Sequence, residues 1–164
     1  MELAVEKDGS WSEKKHFVED VGLLFEDGGM PRMAGRIVGW LLICNPPHQS
    51  LLEMAQILEA SNASISTMTR LLIQMGLIER VGLPGHRRDH YRVKPGAFES
   101  IMQHNLQEIK AGLQLAERGM ALVANQPPDM RQRLREVHEL YVFFDREYPT
   151  LLERWEKERK KLSH

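Results

Sequence analysis

A mainly α-helical fold with one small β-hairpin is what the sequence predicts, on three observations. Apolar residues recur at helical spacing through most of the chain. The one interruption, residues 77–93, holds two short strand-like runs around a loop of glycine, proline and arginine. Glycine and proline clusters at Gly28-Gly29, Pro46-Pro47 and Pro127-Pro128 cut the helical pattern into separate pieces. Residues 51–93 then read in order as short helix, turn, Ser/Thr-rich helix, strand, basic loop and strand. That is the order of a winged helix-turn-helix, flanked here by N- and C-terminal dimerisation helices, and it makes double-stranded DNA the first partner to consider.

The first helix spans about 11–26, with Phe17, Val21, Leu24 and Phe25 as its apolar residues, Ser12 as N-cap and Gly28-Gly29 as its stop. Pro31 opens a second helix, because its fixed φ suits the first turn and its missing N–H would have no partner there. Pro46-Pro47 halts it after Asn45. A third helix over 51–59 sets Leu51, Met54, Ala55 and Leu58 on one stripe. Ser50 and Glu53 stand three apart at its start, the spacing at which each side chain satisfies the other's orphan backbone amide.

The run 61–64 supplies a turn and a second N-cap, and the next helix extends to about Met75, where Gly76 ends it in a left-handed conformation. Ile65, Met68, Leu72 and Met75 define its core side. The opposite side carries Asn62, Ser66, Thr67 and Arg70, with no carboxylate between positions 61 and 74. Short side chains let a backbone approach a major groove, and Arg or Asn there can bond bidentately to base edges. Ser61, Asn62, Ala63, Ser66, Thr67 and Arg70 are therefore the candidate reading residues.

Residues 77–81 and 90–93 are the strands and 82–89 the loop between them. Arg80, Arg87, Arg88, Arg92 and Lys94 face only Glu79 and Asp89, a local balance of +3 in a chain whose net charge is −1. The first 28 residues carry eight acids against three lysines, so charge is segregated along the chain. A cationic hairpin tip suits phosphate contact and minor-groove entry, because arginine releases condensed counterions and favours narrow, electronegative grooves. Arg87 and Arg88 are both candidates for the contact.

After Pro95-Gly96, a long helix over 97–124 has apolar positions at Ile101, Leu106, Ile109, Leu113, Met120 and Val123. A final helix runs over 129–161, with a bend expected at Pro149. Two such helices are too long to pack fully on a winged domain of about 80 residues, so their apolar stripes call for a second copy. The chain divides into 1–29 as an N-terminal packing and dimerisation helix, 30–95 as the DNA-binding domain and 96–164 as a helical dimerisation region. A two-fold homodimer would set its reading helices one turn of DNA apart, about 34 Å, over a pseudo-palindrome.

At 164 residues, 42% hydrophobic and 27% charged, the chain can build one core with an appended helical part. No run reaches the ~18 apolar residues of a membrane span. The first residues lack the basic-then-apolar order of a secretion signal. The single Cys44 cannot form an internal disulfide, which points to a reducing cytoplasm, and its position after Trp40-Leu41-Leu42-Ile43 suits a buried structural thiol.

Particular residues carry a family resemblance. Residues 64–72 (SISTMTRLL), 76–80 (GLIER), the wing 84–91 (PGHRRDHY) and the upstream 30–42 (MPRMAGRIVGWLL) resemble the MarR superfamily of bacterial transcription regulators, and within it the GbsR-like branch. The resemblance covers residues 12–95 well and the C-terminal helices only in general character. It implies a transcription regulator, here expected to be a repressor. The wing departs from the Asp-x-Arg-Asp-Gly-Arg string of mainstream members, and no Leu-Thr pair follows the last strand, which leaves open which arginine serves at the tip.

GbsR-like regulators are associated with choline-type effectors, and Tyr141, Phe143, Phe144, Tyr148 and Trp155 supply five of the eleven aromatic residues. Aromatic faces hold quaternary ammonium by cation-π attraction. The same rings at helical spacing also serve as core or dimer contacts. Trp40, Tyr141, Phe144 and Tyr148 are the candidate residues for a small-molecule effector lying between the winged core and the dimer helices.

Two alternatives stand beside the DNA-binding regulator. His86 and His90 with Glu79 nearby would suit a metal-responsive regulator, although further ligands would be needed. A winged helix can also bind only protein, which the basic wing disfavours. No phosphate-cradling loop, nucleophile elbow or paired carboxylates with a histidine occur, so neither catalysis nor a cofactor is expected.

Overall fold

The computed structural model describes residues 9–162. These form α1 (Gly9–Asp27), α2 (Arg32–Ile43), β1 (Gln49–Ser50), α3 (Leu51–Ile57), α4 (Asn62–Gln74), β2 (Ile78–Val81), β3 (His90–Val93), α5 (Ala97–Leu122) and α6 (Pro128–Leu162). The mainly helical fold with its hairpin wing is thus observed. One element was not foreseen, since β1 joins the hairpin to make a three-stranded antiparallel sheet of order β1-β3-β2. In its register Gln49 pairs with Tyr91 and Ser50 with His90, so the wing is anchored directly at the start of α3.

The chain divides into two compact units, residues 1–97 and 98–164. In the first, α1 lies against α2 at glycine contacts. A Cβ on Gly35 would come within 2.6 Å of the Val21 carbonyl oxygen and 2.8 Å of the Gly22 Cα, so only hydrogen fits there. Val18 is buried against this seam, while Phe17 and Leu24, expected on the apolar face, are exposed. The stripe that α2 covers is Val18, Val21, Gly22 and Phe25, and it leaves the other two on a free flank. Ile37, Val38, Met54, Ile65, Leu72 and Ile78 form the fully buried centre, to which α2, α3, α4 and β2 all contribute. Cys44 is buried and reduced, with burial pushing its thiol pKa up to about 11, so it stays protonated and unreactive at neutral pH.

The local signals of the helix-turn-helix are present. The Ser50 amide and hydroxyl donate to the Glu53 carboxylate, each at 2.7 Å, and the Glu53 amide donates back to Ser50 Oγ at 3.3 Å. Ser61 caps α4 by accepting from the Ser64 amide at 3.2 Å, so Asn62 and Ala63 lie in the helix rather than in the turn before it. Gly76 closes α4 with φ +72°.

In the second unit α5 and α6 pair antiparallel in a heptad register. The Tyr141 ring lies on Gly112 and Leu134 on Gly119, while Asn105 donates to Tyr148 Oη at 3.4 Å and Trp155 Nε1 to Glu99 at 3.1 Å. The seven-residue step from Leu134 to Tyr141, Tyr148 and Trp155 makes these one stripe of α6. The helix runs through Pro149, and no described residue of it is fully buried.

Candidate nucleic-acid interface

The geometry of α4 sorts its residues into two sides. Ile65, Thr69 and Leu72 are buried at spacings of four and three. Met75, expected in the core, is 41% exposed because it is the C-cap, where the helix leaves the interior. Thr69 takes the place left on the inner side, and its hydroxyl finds no partner among the described residues. Ser61, Asn62, Ala63, Thr67 and Arg70 are exposed and Ser66 is half-buried. The acid-free face is therefore turned to solvent rather than covered by the unit's own core. Arg70 makes no ion pair among the described residues.

Across the wing, β2 and β3 pair Glu79 with Arg92 and Arg80 with Tyr91. Arg92 binds the Glu79 carboxylate at 2.7 Å and Arg80 binds Asp89 at 3.2 Å. Both acids of the hairpin are thereby occupied by two of its cations. The surplus charge resides on Arg87, Arg88 and Lys94, all exposed and without an ion pair among the described residues. Gly85, at φ +79°, forms the reversal that brings the two adjacent arginines to the loop's outer edge, a conformation side chains resist.

Histidines brace the base of the wing. The buried His90 ring meets His48 and His86 edge to face, at centroid distances of 5.4 and 5.2 Å. Its Nδ1 lies 3.1 Å from the Arg88 carbonyl oxygen, within donating distance, and its Nε2 lies 3.9 Å from Glu53. Burial pushes the Glu53 carboxyl up, but the Ser50 amide and hydroxyl donors, with His90 and His48 nearby, outweigh it and leave the pKa below the ordinary value. The wing and the capping box of α3 are thus one connected polar cluster, which sequence spacing had suggested only as an isolated His86/His90 pair. Among the described residues no group of three or more His, Cys, Asp or Glu side chains is placed to hold a metal ion.

The four effector candidates are not brought together as one box. Trp40 belongs to the interior of the first unit, its ring edge-on to Trp11 at 5.9 Å. Tyr141 and Tyr148 face α5, and Phe144 lies on an exposed side of α6.

Comparison with known proteins adds to this geometry. The HTH-type transcriptional regulator MmpR5 of Mycobacterium tuberculosis is 38% identical over 141 residues, covering 86% of each chain. A family model for MmpR5-like MarR family transcriptional regulators matches residues 96–158. The chain belongs to the MarR family of transcriptional regulators. A crystal structure described as that of a transcriptional regulator superposes on this MarR-family chain with a TM-score of 0.70 and 36% identity, covering 88% of this chain and 99% of the other. A putative HTH-type transcriptional regulator, YvaV of Bacillus subtilis, is 25% identical over 87 residues, 53% of this chain and 49% of its own. The MarR-family regulator accordingly has a winged helix-turn-helix of DNA-binding type. None of its described helices is long and apolar enough to cross a membrane.

Proposed function

We propose that this regulator is a homodimeric repressor acting in the cytoplasm, which holds a pseudo-palindromic operator with α4 in the major groove and the wing at the minor groove. One observation carries the reading. A solvent-facing, carboxylate-free helix face ending in Arg70 belongs to the same unit as a hairpin whose acids are consumed by Arg80 and Arg92, leaving Arg87 and Arg88 for phosphate. Ser61, Asn62, Ala63, Ser66 and Thr67 supply the close approach, and Arg70 supplies a bidentate base contact.

The dimer reading rests on α6. Beside the stripe that faces α5, a second stripe of Met130, Val137, Phe144 and Leu151 recurs at the same seven-residue step, and all four are exposed, between 39% and 57%. A heptad stripe of large apolar residues left in water is the surface a second copy would cover. Exposed Phe17 and Leu24 on α1 add to it, consistent with residues 1–29 and 96–164 serving assembly and 30–95 serving DNA. The GbsR-like likeness of residues 30–42 and 64–91 extends the reading to an effector-responsive regulator.

Selection of binding sites from random oligonucleotides tests the proposal. It predicts an inverted repeat with half-sites about one helical turn apart. Failure to enrich any sequence, or enrichment of a single unrepeated site, would contradict it.

A further inference from the structure

The first unit holds a cavity of about 170 Å³ where the start of α1 and the end of α2 meet the turn between α3 and α4. Trp11, Val18, Trp40, Ile57 and Leu58 wall it. Cavities of about 150 Å³ with apolar walls take up benzene, so this one has room for a single ring. Trp40 is only 8% exposed, and its Nε1–H has no acceptor among the described residues. A buried donor without a partner favours a guest that brings an acceptor.

Charge at the rim narrows the guest's chemistry. Glu59 is bound by Lys15 at 2.9 Å and Glu19 by Arg36 at 2.7 Å, so the acids are already balanced by cations. An ionised group carried inside would lose its hydration with no unpaired counter-charge among the walls. An uncharged ring with one oxygen acceptor meets both conditions.

The cavity also reaches the DNA-reading helix. Ile57, Leu58 and Glu59 lead directly into Ser61, the cap of α4. Glu59 is the one non-glycine residue described with positive φ, at +52°. That sparsely populated conformation is held where Lys15 of α1 grips its side chain. A guest wedged between α1 and this turn changes the entry of α4.

We propose that this cavity is an effector site for an uncharged single-ring aromatic molecule bearing a carbonyl-type acceptor, whose occupancy shifts DNA affinity through the α3–α4 turn; the coupling rests on the regulator reading above. Benzamide is the probe, with benzoate and phenyltrimethylammonium as anionic and cationic comparisons. In a Trp155→Phe chain the fluorescence reports on Trp11 and Trp40 alone. Titration to about 10 mM, the range expected for a ligand of some ten atoms, gives saturable quenching by benzamide and weaker responses from the two ions. Trp40→Phe, which keeps a ring but loses the N–H, weakens benzamide about tenfold. Ile57→Phe fills the cavity and abolishes the response, with melting confirming that the variant is folded. Bound benzamide slows amide exchange at 59–64 and changes operator affinity about fivefold or more.

Absence of saturable quenching, equal binding by both variants, or stronger binding of either ion would overturn the site. Binding with unchanged exchange and operator affinity would overturn the coupling. Operator binding measured without probe in the same preparation separates these results from failure of the regulator reading, which would show as loss of DNA binding itself.

Discussion

The two units of this chain bury their apolar residues differently. Residues 1–97 close a core of their own, with Ile37, Met54, Ile65 and Leu72 fully buried, whereas α6 in the second unit has no fully buried residue and leaves Leu140, Phe143 and Leu151 about half exposed. A reading head must hold its side chains rigidly before it meets DNA, so its fold is complete within one chain. A helical arm that is completed by another copy keeps its surplus apolar surface for that encounter. The contrast predicts which substitutions act on assembly and which act on the reading head.

The largest effect is expected from the arm. Val137→Glu combined with Phe144→Glu charges the exposed stripe without touching the α5 contacts. Sedimentation should then shift from about twice the 19.0 kDa chain mass to that of one chain. Operator affinity should fall about a hundredfold or more as two linked half-site contacts become one. A dimeric double variant would show that the second stripe is not the interface.

Within the reading head, Gly35→Val should cost about 1–3 kcal/mol in a melting experiment, because its side chain must displace the α1 backbone at Val21 and Gly22. A neutral result would mean that the α1/α2 seam is looser than drawn. Arg70→Ala should leave stability unchanged and relax sequence preference by about 1–3 kcal/mol at one base pair per half-site, read from competition binding.

The smallest effect lies at the wing's anchor. Ser50→Ala should cost about 1 kcal/mol by removing the cap of α3. The pH dependence has a definite sign. Because the folded-state pKa of Glu53 is held below its ordinary 4.5, its contribution is present above that value and is lost as pH falls through the folded pKa. The stability gap between the native chain and Glu53→Ala should therefore be full at neutral pH and shrink below about pH 4.5. A gap that widens on acidification would contradict the assigned donors.

Much of this architecture was legible from residue order. The capping box at Ser50 and Glu53, the stop at Gly76 and the outward face of α4 follow from short-range spacing, which is where sequence signals are strongest. What escaped depends on partners distant in the chain. β1 is two residues long and exists because Tyr91 and His90 lie opposite, which no periodicity announces. Thr69 reads as a polar surface residue until neighbouring elements enclose it, and Met75 reads as core until the helix end turns it out. The aromatic residues of α6 invited a ligand box, yet Tyr141 is placed against Gly112 and Tyr148 against Asn105, a use visible only once α5 lies alongside. The division of the wing's charge was half legible, since the +3 balance is in the composition but the pairing that leaves Arg87 and Arg88 unmatched needs the strand register.

The most direct test of the central claim is the salt dependence of operator binding for the native chain against Arg87→Ala/Arg88→Ala. If both arginines neutralise phosphates, the slope of log affinity against log salt should flatten by about 0.9 for each contact removed, in each half of the dimer, with affinity falling for all sequences alike. An unchanged slope, or no DNA binding by the native chain even at low salt, would contradict the account.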